Sequence, residues 1–329
     1  MRPNPKTNFL FFALVILSFT QVQSQPNSFF SSKAFAPDTL KLFPVFSGLS
    51  PLLVPSGELE LLFFNVLSTQ KNKAALGGIS RGTAMQHILQ VTYGASESRR
   101  FNIGLDLHYL HYRFDANSGH SPLRVFAATA SDTIVTDSTN RDVLALSFHT
   151  LSRAGLRFRW LPSENLPELT VQGGVLVPAS YQAPAIKRAL DIARTQLWLQ
   201  GNFYQLLGEG LYGFANAGAY LKLSNETQRQ TSITPIANVL IAKEIPGDLL
   251  VVFIQTAFNA SFNKQYKAGL QNTNYQWLYG LGAQLQLSNN FSLSAEFQKP
   301  FVNNYNSLSS EYDSGLANFS INLRYITGN

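Results

Sequence analysis

Cysteine is absent from all 329 residues. The absence excludes a disulfide framework, a thiolate metal site and a lipid anchor built on an N-terminal cysteine, so stability has to come from burial and hydrogen bonding. Charge is scarce as well: Asp, Glu, Lys and Arg make up 13% of the chain. The formal excess of +6 is dispersed along the sequence, which argues against nucleic acid as a partner. Long apolar runs are also missing. Past residue 24 nothing approaches the ~18 consecutive apolar residues of a membrane-crossing helix. An exported chain of this kind is either a secreted soluble fold or a sheet that crosses the membrane closed on itself.

Export is expected from the opening residues. Arg2 and Lys6 supply a positive start, 9–19 is apolar apart from Ser18, and Val22-Gln23-Ser24 places small residues at a cleavage site; together they predict a signal peptide over 1–24. Arg2 and Lys6 leave with it and no acid does, so the +6 falls to +4. Residues 25–56 contain Pro26, Pro37, Pro44, Pro51 and Pro55 and no period. They are expected to be an irregular periplasmic lead-in at the mouth of the fold that occupies 57–329.

What the chain does have is alternation. Over 144–160 the even positions are Leu144, Leu146, Phe148, Thr150, Ser152, Ala154, Leu156, Phe158 and Trp160, while His149, Arg153, Arg157 and Arg159 stand among the odd ones. Period two sends these sets to opposite faces of one strand. Globular strands usually run about 5–6 residues, whereas a tilted strand crossing a bilayer needs roughly 9–11. The same pattern predicts twelve strands: 57–68, 84–95, 99–114, 144–160, 168–178, 191–206, 210–223, 232–243, 248–262, 274–287, 291–299 and 315–327. The seventh and eighth alternate least cleanly.

Twelve is an even number, as a single-chain barrel with both ends on the periplasmic side requires. Connections after even-numbered strands are short and those after odd-numbered strands longer, up to 115–142. This is the pattern of periplasmic turns and extracellular loops. Tyr93, Phe101, Trp160, Phe203, Phe291 and Tyr325 fall near one rim, and Tyr109, Phe258, Phe262, Tyr275 and Trp277 near the other, as two interfacial aromatic belts would. The expected fold is an all-β, transmembrane, antiparallel up-and-down β-barrel in contact with outer-membrane lipid.

The opposite face of each strand is rich in Gln and Asn and carries Glu58, Glu60, Asp106, His149, Arg153, Arg157, Arg159, Arg194, Glu296 and Arg324. A lumen of this kind is either an arginine ladder that favours anions or a salt-bridged interior that stiffens a narrow barrel. Closing the barrel brings the last strand beside the first, and Arg324 is expected within salt-bridge reach of Glu58 or Glu60. Signals for catalysis, metals or cofactors are weak, and none of the three is expected. His108 and His111 diverge on their strand, and His149 and Ser152 point to opposite faces. Gly77-Gly78-Ile79-Ser80-Arg81-Gly82-Thr83 lacks the lysine of a phosphate loop.

From residue 57 onward the chain resembles Gram-negative outer-membrane β-barrels. Gly173-Gly174-Val175-Leu176-Val177-Pro178, a polar loop, a Gln/Asn-lined strand and a glycine-rich stretch over 210–220 are similar to the transporter barrels grouped with the phenol-degradation MetA pathway. That resemblance implies passage of small, often apolar molecules through a channel. A second resemblance, to barrel components of type IX secretion and gliding machinery, implies a structural or docking role instead. The chain departs from the usual barrel ending, because Tyr325 is followed by Ile326-Thr327-Gly328-Asn329. Outer-membrane phospholipase is also twelve-stranded, but its His-x-Ser-Asn-Gly segment has no counterpart in His149-Thr150-Leu151-Ser152.

Overall fold

The structure, a computed structural model, describes residues 53–327 except 74–78, 97, 99, 116–120, 122, 124, 126–132, 137–142, 181–191, 226–230, 246–249, 266–268 and 304–316. The expected signal peptide and the lead-in up to residue 52 lie outside the described residues. The described strands are β1 (Leu59–Lys73), β2 (Ile79–Gly94), β3 (Phe101–Asp115), β4 (Thr133–Thr136), β5 (Val143–Trp160), β6 (Leu169–Pro178) and β7 (Gln196–Gly208), followed by β8 (Leu211–Lys222), β9 (Ser232–Ile245), β10 (Leu250–Gln265), β11 (Gly269–Ser288), β12 (Phe291–Asn303) and β13 (Ala317–Ile326). Sequence neighbours pair antiparallel, β13 pairs with β1, and β3 pairs with β5, so the sheet closes into a barrel of twelve strands. The thirteenth element, β4, lies outside the ring. It pairs with the Val143–Ser147 end of β5, beyond Arg153, where β6 stops.

Alternation decides which side chains face out. Leu105, Leu156, Ile254 and Leu281 are all more than half exposed, whereas Leu62 and Phe64 on the opposite face are fully buried. A bare apolar surface running round a closed sheet is what lipid covers.

Two hairpins run further than the alternation suggests. Pairing of β1 with β2 continues to Lys73–Ile79, and β10 with β11 to Gln265–Gly269, so most of the long connections expected at 69–83 and 263–273 are strand. The ladder of backbone hydrogen bonds persists after the side chains stop alternating between apolar and polar, and only that alternation is visible in sequence.

The larger departure is on β5. A bulge leaves Ser152 extra between the pairs His108–Arg153 and Tyr109–Leu151. One inserted residue reverses the faces beyond it. Below the bulge Arg157 and Arg159 point in and Leu156 and Trp160 out, as expected; above it Phe148, Thr150 and Ser152 are buried and His149 is exposed. His149 is therefore on the outer wall and not among the lumen residues. The inward-turned Phe148 packs with Leu110 and Ile192, and Thr150 donates to Ser180 Oγ at 3.2 Å. The bulge thus holds both ends of the β6–β7 connection against the inner wall.

At the short-turn end the chain enters β1 over a glycine. Gly57, at φ +80, donates its N–H to Gly94 O at 2.9 Å, and Gly94 N–H donates to Glu58 O at 3.0 Å. Val54 is buried and is gripped by one amide: its N–H donates to Asn102 Oδ1 at 2.8 Å, and Asn102 Nδ2 donates to its carbonyl at 2.9 Å. A Cβ on Gly94 would lie 1.9 Å from Pro55 O. Gly94→Ala should therefore cost about 1–3 kcal/mol in urea unfolding from lipid, like other overpacking changes. Gly208→Ala, whose added Cβ meets nothing within 4 Å, is the matched control and should cost no more than about 0.5 kcal/mol.

Candidate functional site in the lumen

Five charged lumen residues, Glu60, Asp106, Arg157, Arg159 and Arg324, gather at the short-turn end on β1, β3, β5 and β13. Glu60 sits at the centre and is fully buried. Arg324 Nε on β13 donates to its Oε1 at 2.8 Å, the neighbour-strand bridge that closure predicts. Arg159 on β5 donates from Nη1 and Nη2 to its Oε2, both at 3.1 Å. Between β5 and β1 the wall runs through β3 and β2, so this second bridge reaches past two strands across the floor of the barrel. Solvent reaches neither side chain of the Arg159–Glu60 pair.

Arg157 lies one step further in. Its Nη1 is 3.4 Å from Asp106 Oδ1, its Nη2 donates to Gln172 Oε1 at 3.1 Å, and its guanidinium carbon is 5.6 Å from the centre of the Trp198 ring. Two glycines make the room. Gly104 and Gly174 pair with Arg157 on either side; a Cβ at the first would lie 3.0 Å from Arg157 Cγ, and at the second 2.8 Å from Trp198 Nε1. Gly104 and Gly174 therefore clear space for a guanidinium and an indole beneath it.

The remaining candidates are placed as follows. Asp106, Glu296 and Arg324 are buried on the inner face as expected, and Glu296 accepts from Gln255 and Gln298. Arg194 is buried, but in a bend before β7 and not on the strand to which alternation assigned it. Arg153 is half-buried at the bulge, and Glu58, also half-buried, precedes β1 at the mouth. Sequence reasoning missed Trp198 and the apolar patch formed by Leu62, Phe64, Val66 and Ile88 on the inner side of β1 and β2. Trp198 and Phe64 sit at inward-parity positions, and a large apolar residue interrupting a polar face was the available signal.

The aromatic residues occupy two levels. Phe101 pairs with Trp160, Phe291 with Tyr325 and Leu59 with Tyr93 at the short-turn end, with Phe203 beside Leu169. Towards the other rim, Phe258 pairs with Trp277, whose ring lies 5.5 Å from Phe301, and Tyr275 pairs with Ala260. Tyr109 belongs to this second level on β3, where its ring stacks on His149 at 6.2 Å.

No family model matches the sequence, and no curated protein does. Solved structures do match in shape. The COG4313 outer membrane channel from Pseudomonas putida F1 superposes with a TM-score of 0.58 at 14% identity, over 86% of this chain and 99% of that one. The β domain of the Bordetella autotransporter BrkA gives 0.51 at 12% identity, covering 82% and 99%, and the transport unit of the Escherichia coli autotransporter AIDA-I gives 0.50 at 9%, covering 89% and 96%. The fold is that of an outer-membrane β-barrel. At these identities the likeness extends to the barrel and no further.

Proposed function

We propose that the protein is an outer-membrane channel for small solutes, with a preference for anions, whose periplasmic mouth is held shut in this conformation by the Arg159–Glu60–Arg324 bridge. The observation that carries the proposal is the buried arginine excess at that mouth. Arg157, Arg159 and Arg324 surround Glu60 and Asp106, three guanidiniums against two carboxylates. A ring of this sign inside low-dielectric walls attracts small anions. At the level of the same cluster, Gln90 Oε1, Thr92 Oγ1 and both amide atoms of Gln200 are buried without a hydrogen-bond partner, polar groups of the kind that enclosed water satisfies. The resemblance to MetA-pathway transporter barrels and the superposition on an outer-membrane channel support passage of small molecules. The likeness to autotransporter β domains leaves a docking barrel as the reading that the same experiment rejects.

Planar-bilayer recording tests this. Wild-type protein should give small, infrequent openings. Arg159→Gln keeps Glu60 paired with Arg324 but removes the bond across the floor, and should raise the open fraction several-fold. Arg157→Gln should shift the reversal potential in a KCl gradient towards cations. A barrel that folds yet conducts in neither form would be a docking protein.

A further inference from the structure

The bulge on β5 that turns Phe148 inward also brings three imidazoles together on the outer wall. His87 on β2, His111 on β3 and His149 on β5 lie side by side, with ring centres 5.4 Å apart for His87–His111 and 5.8 Å for His111–His149. They form a short row between the lipid-covered band, where Phe63 stacks on His87 at 6.0 Å, and the polar rim above, where Arg113 pairs with Asp115 at 3.0 Å. Ionisable side chains on a lipid-facing wall are costly and usually have a task.

The protonation of His87 follows from its neighbours. Asn65 Nδ2 donates to Ile321 O at 3.2 Å, which turns its carbonyl oxygen towards His87 Nδ1, 2.6 Å away. An amide oxygen only accepts, so Nδ1 carries the proton and Nε2 keeps a lone pair. A histidine whose other ring nitrogen is anchored by an amide or carbonyl is arranged as metal-binding histidines are. Two imidazoles bound at about 2.0–2.1 Å to one tetrahedral metal have ring centres roughly 5 Å apart, close to the observed separations. Among the described residues no group of three such ligands is arranged to hold a metal, so the candidate rests on the His87–His111 pair alone.

We infer that His87 and His111 form a two-histidine binding site for a divalent transition metal of the copper, nickel or zinc class on the outer wall of the barrel, with Asn65 as the positioning residue. Imidazole suits these ions, and the position at the polar edge of the lipid band leaves remaining coordination to water. The site is independent of the lumen and of the proposed channel.

The full chain, folded in detergent, carrying a tag without histidine and stripped with chelator, would be titrated calorimetrically with Cu²⁺ and with Ni²⁺. The expected result is saturable binding of one ion per chain, weakened at least about ten-fold by His87→Phe and by His111→Phe, which keep the ring packing but remove the nitrogens. Asn65→Leu should weaken it by about ten-fold through His87 alone, and His108→Gln, on the inner face, should leave it unchanged. Heat-shifted gel migration would verify folding; if a phenylalanine variant failed to fold, His87→Gln and His111→Gln would replace it. Absence of saturable binding by the wild type, wild-type affinity in the His87 and His111 variants, or an equal loss in His108→Gln would overturn the site.

Discussion

Glu60→Gln should be the most damaging conservative change in the barrel, lowering its folding free energy in lipid by about 3–5 kcal/mol. The reason is asymmetry of loss. Glu60 is fully buried and accepts from two arginines at 2.8 and 3.1 Å. Replacing it takes this carboxylate from both buried guanidiniums, and a buried charge that loses its partner costs more than the pair contributed. Arg159→Gln or Arg324→Gln should cost less, because each leaves Glu60 with its other arginine. A double change, Glu60→Gln with Arg159→Gln, should recover part of the loss, and the departure from additivity measures the bridge across the floor. Reversible urea unfolding from vesicles reads all four. A loss under about 1 kcal/mol for Glu60→Gln would mean that water screens the cluster, as it does surface pairs.

How much of this could be read from the sequence differs by element. Period-two alternation located the twelve barrel strands, and strand order followed from antiparallel closure. Together they predict Arg324 within reach of Glu58 or Glu60, and the bridge forms to Glu60. Pairing between neighbouring strands says nothing of a third group arriving from across the lumen. Arg159 reaches Glu60 past two strands, a consequence of barrel curvature. The reversal on β5 was hidden for a different reason. A single inserted residue changes the phase without changing composition, and the only trace was local: Thr150 and Ser152 stand at positions assigned to lipid while Leu151 stands at one assigned to the lumen. The short strand β4 carries no alternation over its four residues and depends on the end of β5 that β6 leaves unpaired.

Arginine scanning of the outer wall should give the second large effect, and it tests depth. Leu281 on β11 is flanked in register by Ile254 and Phe297 and lies between Leu287 at the short-turn end and Trp277 in the far aromatic level. That places it near the middle of the apolar band, 59% exposed to whatever surrounds the barrel. An arginine there must take its charge into hydrocarbon, at a cost of about 2–4 kcal/mol at the midplane. Leu285, four residues nearer the turn, should cost less, and Trp160, the last residue of β5 and paired with Phe101 in the near belt, should cost about 0–1 kcal/mol because its arginine reaches the headgroups. The order Leu281→Arg, Leu285→Arg, Trp160→Arg is thus expected from most to least destabilising in vesicles, and the three should converge in detergent micelles, where the apolar layer adapts to the charge. Equal costs at the three sites in vesicles would mean that the band is not membrane-embedded, and a reversed order would shift the bilayer along the barrel axis towards the short turns.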